Sequence, residues 1–408
     1  MATLSFETLA FEIQEDQLRV TILKIFYTLI PQTAISKIGQ FSIEKNSITF
    51  TGQAEAKVRT RFLNLVTSYM EQNLVDQVSG NKALYIHQNS GIPLLGSVSF
   101  VIVYRNTSLI EIKPVTSCNL DCIYCSVGEG KSSKKMDIVV EKDYLLAELQ
   151  KLLEFVAEPV EIHIGVQGEP FLYADLLPLI SDLQKNPQVK VVSTDTNFTL
   201  VTKAMLDEMS AYTKLRLNIS LDALDPQIAD AMAGCAYNLD KVLEMIRYAV
   251  KKKVNILIAP VFVPGYNEKE LEKIIAFVKE LDIPSLHGFP FIGIQNFLPY
   301  KTGRNPTKSM PWDKFYALLA ELEKKTKVPL KLDAANFSIH NTKVLPAPFK
   351  EGEVITAILK APDRFPRSSL AVAKERTISV IDCSFTKDKK VRLKIIRDKH
   401  NIFAAKVV

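Results

Sequence analysis

The chain has 408 residues, 47% of them apolar and 24% charged, with 15 Gly, 20 Pro and five Cys. These values exclude a disordered chain and a disulfide framework, and a chain of this length suits two or three domains. The formal charge of +6 is unevenly placed: residues 345–408 hold fourteen Lys and Arg against seven Asp and Glu, a local +7, and the rest sums to −1. The Phe100–Tyr104 apolar run is far short of the roughly 20 residues of a membrane span. Met1–Glu15 carries acidic residues and lacks a basic-then-apolar leader. A reducing, cytoplasmic location without a membrane partner is expected.

Residues 1–105 read as an α+β region, helical at both ends with a strand pair near Phe41–Thr51, and carry no functional motif. From 106 to 330 strands and helices alternate. Strands are expected at Leu109–Pro114, Val160–Val166, Lys190–Asp195, Lys214–Leu221, Val254–Val263 and Gly288–Phe297. Helical spacing appears at Glu141–Phe155, Ala174–Gln184, Lys203–Tyr212, Leu239–Lys253, Glu268–Leu281 and Trp312–Lys325. Such alternation is an α/β pattern, with a parallel sheet either doubly wound or curled into a partial or full barrel. The run Leu345-Pro-Ala-Pro-Phe-Lys350 marks a further boundary. Five short strands follow, at Glu353–Leu359, Leu370–Ala373, Thr377–Asp382, Val391–Ile396 and Ile402–Ala404, which suggests a small closed barrel of the oligonucleotide-binding kind. Val391, Leu393 and Ile395 share one side of their strand; Arg392 and Lys394 share the other.

Cys118, Cys122 and Cys125 fall directly after the first core strand, in Ser117-Cys-Asn-Leu-Asp-Cys-Ile-Tyr-Cys-Ser126. The carboxyl end of such a strand carries the active site in α/β barrels and sheets. Three thiolates this close repel one another unless a metal neutralises them. A structural zinc site wants four protein ligands, and no fourth Cys or His lies nearby. Three thiolate ligands leave one iron of a cubane cluster open to a substrate. On the second strand Glu161, His163, Gly165, Gln167 and Glu169 share a face. On the fourth, Arg216, Asn218, Ser220 and Asp222 do so. Helices must cover the apolar faces, so the polar ones are expected to line the inside of the curled sheet.

The C-x3-C-x2-C run with Tyr124 before its last Cys resembles the signature of the radical SAM superfamily. That resemblance implies a partial (β/α)6-type barrel over residues 106–330. It also implies a single [4Fe–4S] cluster held by Cys118, Cys122 and Cys125. In that family the open iron binds S-adenosyl-L-methionine, and an electron from the cluster cleaves the sulfonium to release a 5′-deoxyadenosyl radical. A small electron donor such as a ferredoxin or flavodoxin is implied as a partner. Gln167-Gly168-Glu169-Pro170 resembles the family's Gly-Gly-Glu turn, with Gln in place of the first Gly. Asn218-Ile-Ser220-Leu-Asp222 resembles the strand that contacts ribose and carboxylate. Pro260-Val-Phe-Val-Pro-Gly265 resembles the segment flanking adenine, and Asp195-Thr-Asn197-Phe198 the end of the third strand. Tyr124, Gly168, Glu169, Asn197, Asn218, Ser220, Val261 and Val263 are thus implied as cofactor-binding. His163, Arg216 and Asp222 are the candidates for catalysis.

Cys235 and Cys383 lie in separate segments, too few for a second cluster, and read as small buried residues; a methyl-transfer role for Cys235 is the alternative. His163 is either a satisfied core histidine or a hydrogen-bonding group of the cavity. Gly128–Lys135 reads as a solvated loop, with a lid as the alternative. Asn296–Arg304 either guides a polyanion or connects two elements. Phe365, Phe385 and Phe403 are candidates for stacking on bases. Residues 345–408 resemble the TRAM domain, a small RNA-binding barrel, which implies RNA (tRNA or rRNA) as partner. The whole arrangement resembles a group of archaeal radical SAM proteins. Radical modification of RNA is the first reading. A protein or small-molecule substrate is the second, and a non-catalytic RNA-binding module with a structural metal the third.

Overall fold

The computed structural model describes residues 1–52, 54–97, 99–165, 167–283, 288 and 290–408. The N-terminal region opens on strands, where a helix was expected. Strands β1 (Ala2–Ser5), β2 (Leu9–Gln14), β3 (Gln17–Ile22) and β4 (Phe26–Pro31) largely alternate buried with more exposed residues, the period of a half-buried sheet. After the short α1 (Gln32–Ser36), β5 (Phe41–Glu44) and β6 (Ser47–Phe50) form the expected pair. Helix α2 (Glu55–Asn73) lays Val58, Phe62 and Val66 into the core, with the Phe62 ring 5.8 Å from both Phe11 and Phe50. Strand β7 (Val75–Asp76) pairs with β4, and β8 (Ala83–Ile86) follows.

Next come β9 (Val101–Tyr104), β10 (Leu109–Lys113), β11 (Asp137–Val140), α3 (Lys142–Val156), β12 (Val160–Ile164), α4 (Leu176–Lys185) and β13 (Val189–Thr196). They are followed by α5 (Lys203–Met209), β14 (Leu215–Ile219), α6 (Pro226–Ala233), α7 (Leu239–Lys251) and β15 (Ile256–Ile258). The six-stranded sheet has the order β15-β14-β13-β12-β10-β9, parallel except for β9, while β11 pairs with β8. Ile110, Ile112, Ile162, Ile164, Leu215 and Leu217 share one core with Leu145, Leu149, Leu179 and Ile246 of the covering helices.

The strand expected at Val254–Val263 is broken by Ala259-Pro260 into β15 and β16 (Val261–Phe262), because proline cannot donate to the ladder. Helix α8 (Glu270–Glu280) follows. Of the segment Gly288–Phe297, β17 (Gln295–Asn296) and a bridge from Ile292 to Ile258 pair as strand; residue 289 lies outside the described residues, as do Val166 and His287. After β17 the chain returns to the cysteine loop, where the Arg304 N–H donates to Cys125 O at 2.9 Å. The two ends of the open sheet thereby meet around one cavity. Helix α9 (Trp312–Thr326) completes the layer.

The C-terminal strands β18 (Val354–Pro362), β19 (Ser369–Ala373), β20 (Arg376–Ile381), β21 (Lys390–Arg397) and β22 (Phe403–Val407) close into a barrel in the order β18-β19-β20-β22-β21. Val391, Leu393 and Ile395 point into its core and Lys390, Arg392 and Lys394 out of it, as the alternation requires. Phe403 is buried there against Phe349, at 5.2 Å, so it presents no face to a base; Phe365 and Phe385 keep about a third of their surface exposed. Cys383 belongs to the same core. The barrel docks on the rest of the chain through Thr377, whose N–H donates to Leu95 O at 2.9 Å and whose Oγ1 donates to Pro93 O at 2.6 Å. Among the described residues no helix is long and apolar enough to cross a membrane.

Candidate active site

The cysteines occupy the loop leaving β10, and all three border a cavity of about 400 Å³. This loop is held from several directions. The N–H groups of Asp121 and Ile123 donate to Ala233 O (2.9 Å) and Met232 O (3.0 Å), the last carbonyls of α6. Helix α6 was not anticipated, although Asp225 followed by Pro226 is an N-cap and N1 pair and Gly234 closes the far end. Gly234 has φ +66°, and a Cβ there would lie 2.1 Å from Asp121 O. Arg304 donates to Cys122 O (3.2 Å), Glu129 O (2.7 Å) and Asp121 Oδ1 (2.9 Å). Arg304 is therefore a clamp on the loop, and the polyanion reading of its segment does not describe it.

Gly128–Lys135 is solvated only in part: Lys131, Ser132 and Lys134 are exposed, while Glu129 and Gly130 are buried. Glu129 is 2% exposed, donates its N–H to Cys125 Sγ at 3.3 Å, and forms a fork with Arg364 of the barrel at 2.6 and 2.7 Å. Asn81 holds the Ser133 carbonyl at 2.8 Å. No local pattern pointed to Glu129, Arg304 or Arg364, because each acts through a partner distant in sequence.

Across the cavity, Gly168 (φ +72°) passes so close to Ser117 that a Cβ would meet its carbonyl at 2.6 Å. Glu169 Oε1 accepts from Thr196 Oγ1 (2.8 Å) and Phe171 N (3.1 Å), and Oε2 from Asn197 N (2.8 Å). Burial outweighs these donors and raises Glu169 to about 7. Tyr124 donates to Asp222 Oδ2, while Asp222 Oδ1 accepts from Val261 N at 2.8 Å. Asp222 thus ties the cysteine loop to the start of β16; burial lifts it to about 6. Ser220, Asn197, Val261 and Tyr237 also border the cavity, as does Asn296, whose buried Oδ1 has no hydrogen-bond partner. Val263 does not border it; it packs with Met232 and with Phe297, which does.

The polar strand faces turn inward, away from the helices. Glu111, His163, Ser193 and Arg216 stand in one row across β10, β12, β13 and β14. His163 shares hydrogen bonds with Ser193 Oγ (2.8 Å) and Asp195 Oδ2 (3.1 Å), and Asn218 donates to Asp195 Oδ1 (2.9 Å). Arg216 pairs with Glu161 at 2.7 Å and donates to Asn218 at 3.1 Å. Of this network Asp195 reaches the cavity wall, whereas His163, Arg216 and Asn218 lie beneath it. Burial pulls the His163 imidazole down, but the Asp195 carboxylate, its hydrogen bond and Glu161 outweigh burial, and the net shift is upward. The same pairing holds Asp195 below its ordinary value against the opposing pull of burial.

Residues 112–278 match the model of the Radical SAM superfamily. The chain belongs to the radical SAM superfamily. It is 34% identical over 376 residues to an uncharacterized protein of Methanocaldococcus jannaschii, a match covering 86% of each chain. It is 29% identical over 179 residues to a GTP 3′,8-cyclase of Listeria welshimeri, spanning 43% of this chain and 51% of that enzyme. The crystal structure of Streptococcus suis SuiB bound to S-adenosylmethionine aligns with 13% identity, 81% and 72% coverage and a TM-score of 0.44.

Radical SAM enzymes use a [4Fe–4S] cluster and S-adenosylmethionine, and the donor set here fits them. Cys118, Cys122 and Cys125 all border the one cavity, and thiolates are the ligands that hold iron–sulfur clusters. Burial, then Glu169, pushes the Cys118 thiol up; burial, then Cys118 itself, does so for Cys122. Thiolates packed this closely need a cation beside them, which an iron–sulfur group would supply.

Proposed function

We propose that this radical SAM enzyme modifies RNA, its C-terminal barrel engaging phosphates while the cavity receives the reacting nucleoside. The observation that carries this reading is the outer face of β21 and β22. Lys390, Arg392 and Lys394 are exposed along one strand, and exposed Lys406 stands directly opposite Lys394. Like charges facing across strands cost stability, so a polyanion that neutralises them and releases counterions is the fitting partner. The barrel's ion pairs in the described residues are made by other side chains, among them Lys360 with Asp388, Lys387 with Glu71, Arg367 with Asp382 and Arg364 with Glu129. Five strands closed into a barrel agree with an oligonucleotide-binding or TRAM-like module.

When bound, the cluster and S-adenosylmethionine supply a hydrogen-abstracting 5′-deoxyadenosyl radical. In this reading Cys118, Cys122 and Cys125 are the cluster ligands. Glu169 Oε2 keeps a second lone pair for the methionine ammonium. Ser220, Asn197 and the Asn296 Oδ1 acceptor orient the remaining polar groups of the cofactor. Tyr124 and Asp222 keep the cysteine loop registered with the strand ends. Asp195 and His163 hold a proton at the cavity floor, with Arg216 fixing the network beneath.

The test replaces Lys390, Arg392 and Lys394 by Glu and measures RNA affinity against salt concentration. The wild-type slope should fall by about 0.7 for each phosphate the variant no longer neutralises. A flat slope for the wild type refutes the RNA reading. Release of 5′-deoxyadenosine after anaerobic reconstitution tests the radical chemistry separately. A second reading, a nucleotide-sized substrate held wholly in the cavity, is favoured by the similarity to GTP 3′,8-cyclases. It predicts turnover that the three charge reversals leave unchanged.

A further inference from the structure

Arg364 leaves β18 at its tip and enters the core, where it is 2% exposed. Its Nη1 and Nη2 meet Glu129 Oε1 and Oε2 at 2.7 and 2.6 Å, and its Nε donates to Met136 O at 2.8 Å. Nη2 also lies 3.7 Å from Asp137 Oδ1. Both carboxylates follow the cysteines in the chain, and Asp137 reaches back to the stem that precedes them. Glu129 stands four residues after Cys125 and aims its N–H at that sulfur (3.3 Å). Asp137 Oδ1 accepts from Thr116 Oγ1 (3.0 Å), two residues before Cys118, and Thr116 N–H donates to Ile138 O (3.0 Å). Gln167, from the turn that precedes Glu169, completes the fork by donating to Glu129 Oε1 at 2.7 Å. One guanidinium thus joins the barrel to the segment after the cysteines, and through Asp137 and Glu129 to Thr116 before them and Gln167 across the cavity.

Holding a barrel onto a core needs no such arrangement. Thr377 and Phe403 already dock it through backbone bonds to Leu95 and Gly96. A buried, bidentate ion pair costs much desolvation and is geometrically specific. Its specificity here falls on the residue whose N–H faces the last cysteine.

We infer that Arg364 is a positioning residue for the iron–sulfur site, acting through Glu129 and Asp137 to set the cysteine loop, so that the C-terminal barrel is part of that site. The inference rests on the reading of the three cysteines as cluster ligands. Hydrogen bonds to cysteine sulfur are among the features that set a cluster's reduction potential. The Glu129 N–H stabilises the more negative, reduced state. Loss of Arg364 should therefore make the potential more negative. It also follows that deleting residues 345–408 leaves Glu129 buried without its guanidinium, so such a deletion does not isolate RNA binding.

The test compares full-length wild type, Arg364→Met, the double variant Glu129→Gln/Arg364→Met, and Thr377→Val as a docking control. In the chain before reconstitution, amide hydrogen exchange over residues 126–135 should quicken about a hundredfold in Arg364→Met. Thr377→Val should leave that segment unchanged. The double variant no longer strands Glu129, and Asp137 keeps its bonds from Thr116 and Ser79, so its melting profile should move less than that of Arg364→Met while its loop still exchanges faster. After reconstitution with iron and sulfide, the cluster of either Arg364 variant should titrate at a more negative potential than the wild type. Unchanged exchange over 126–135 in both Arg364 variants, or an equal effect of Thr377→Val, overturns the positioning role. A wild-type chain that takes up no cluster overturns instead the reading beneath it.

Discussion

Arg216 and Glu161 face each other inside the curved sheet, 2.7 Å apart, with side chains 4% and 7% exposed. At an effective dielectric of about 20, two unit charges at that separation attract by roughly 6 kcal/mol, much of it offset by desolvation. Replacing Arg216 by Met removes the attraction and leaves the desolvation cost of Glu161. Ser193 still donates to Glu161 Oε1 (2.5 Å), but Oε2 has no hydrogen-bond partner. Breaking such a pair from one side costs about 3–5 kcal/mol, and Arg216→Met should destabilise the core by that amount. The double change Glu161→Met/Arg216→Met strands no charge and should return to within about 1–2 kcal/mol of the wild type. Native-state hydrogen exchange at Ile162, Ser193 and Leu217 reads this locally, without assuming that the whole chain unfolds in one step. A single variant that loses less than about 1 kcal/mol, or a double variant no more stable than the single, would refute the assignment of this pair as a buried, mutually dependent one.

Gly168→Ala places a Cβ 2.6 Å from Ser117 O at φ +72°. It should cost roughly 2–4 kcal/mol and lower the iron retained after anaerobic reconstitution, since Ser117 leads straight into Cys118. Tyr124→Phe removes the donor to Asp222 and should cost about 1–3 kcal/mol, read by thermal melting, and weaken S-adenosylmethionine binding measured by calorimetry. The His163–Asp195 pair makes stability depend on pH. The raised His163 contributes stability that is complete below its ordinary 6.5 and is lost as pH rises through its folded value. The depressed Asp195 contributes stability present above 3.8 and lost as pH falls through its own folded value. Urea unfolding of His163→Gln from about pH 5 to 9 should show the alkaline loss abolished. In the barrel, Leu393→Ala opens a fully buried position and should cost about 2–5 kcal/mol in a thermal melt.

Strand parity was readable in advance. Glu161, His163, Arg216 and Asn218 alternate with Ile162, Ile164, Leu215 and Leu217, and a helix-covered sheet has one place for each set. The barrel of residues 345–408 was readable for the same reason, with Lys390–Arg397 as its plainest strand. The opening strands β1 to β4 were not, because short runs such as Leu9–Gln14 bear polar residues at spacings that suit a helix as well. Helix α6 was missed because its eight residues are mostly small, although its caps were visible.

Spacing along the chain was enough to specify the cysteine motif, the inward polar faces and the charge of the tail, since each depends on residues a few positions apart. The destinations of that chemistry depend on docking. Glu129 looked like part of a solvated loop and Arg364 like one more positive charge in a basic tail. They lie 235 residues apart in sequence, and they became a buried fork only when the barrel closed against the core. His163 and Arg216 likewise came to lie beneath the cavity wall, their reach set by how far the sheet curls. No local period encodes how two folded units meet, and the holding of the cysteine loop was decided there.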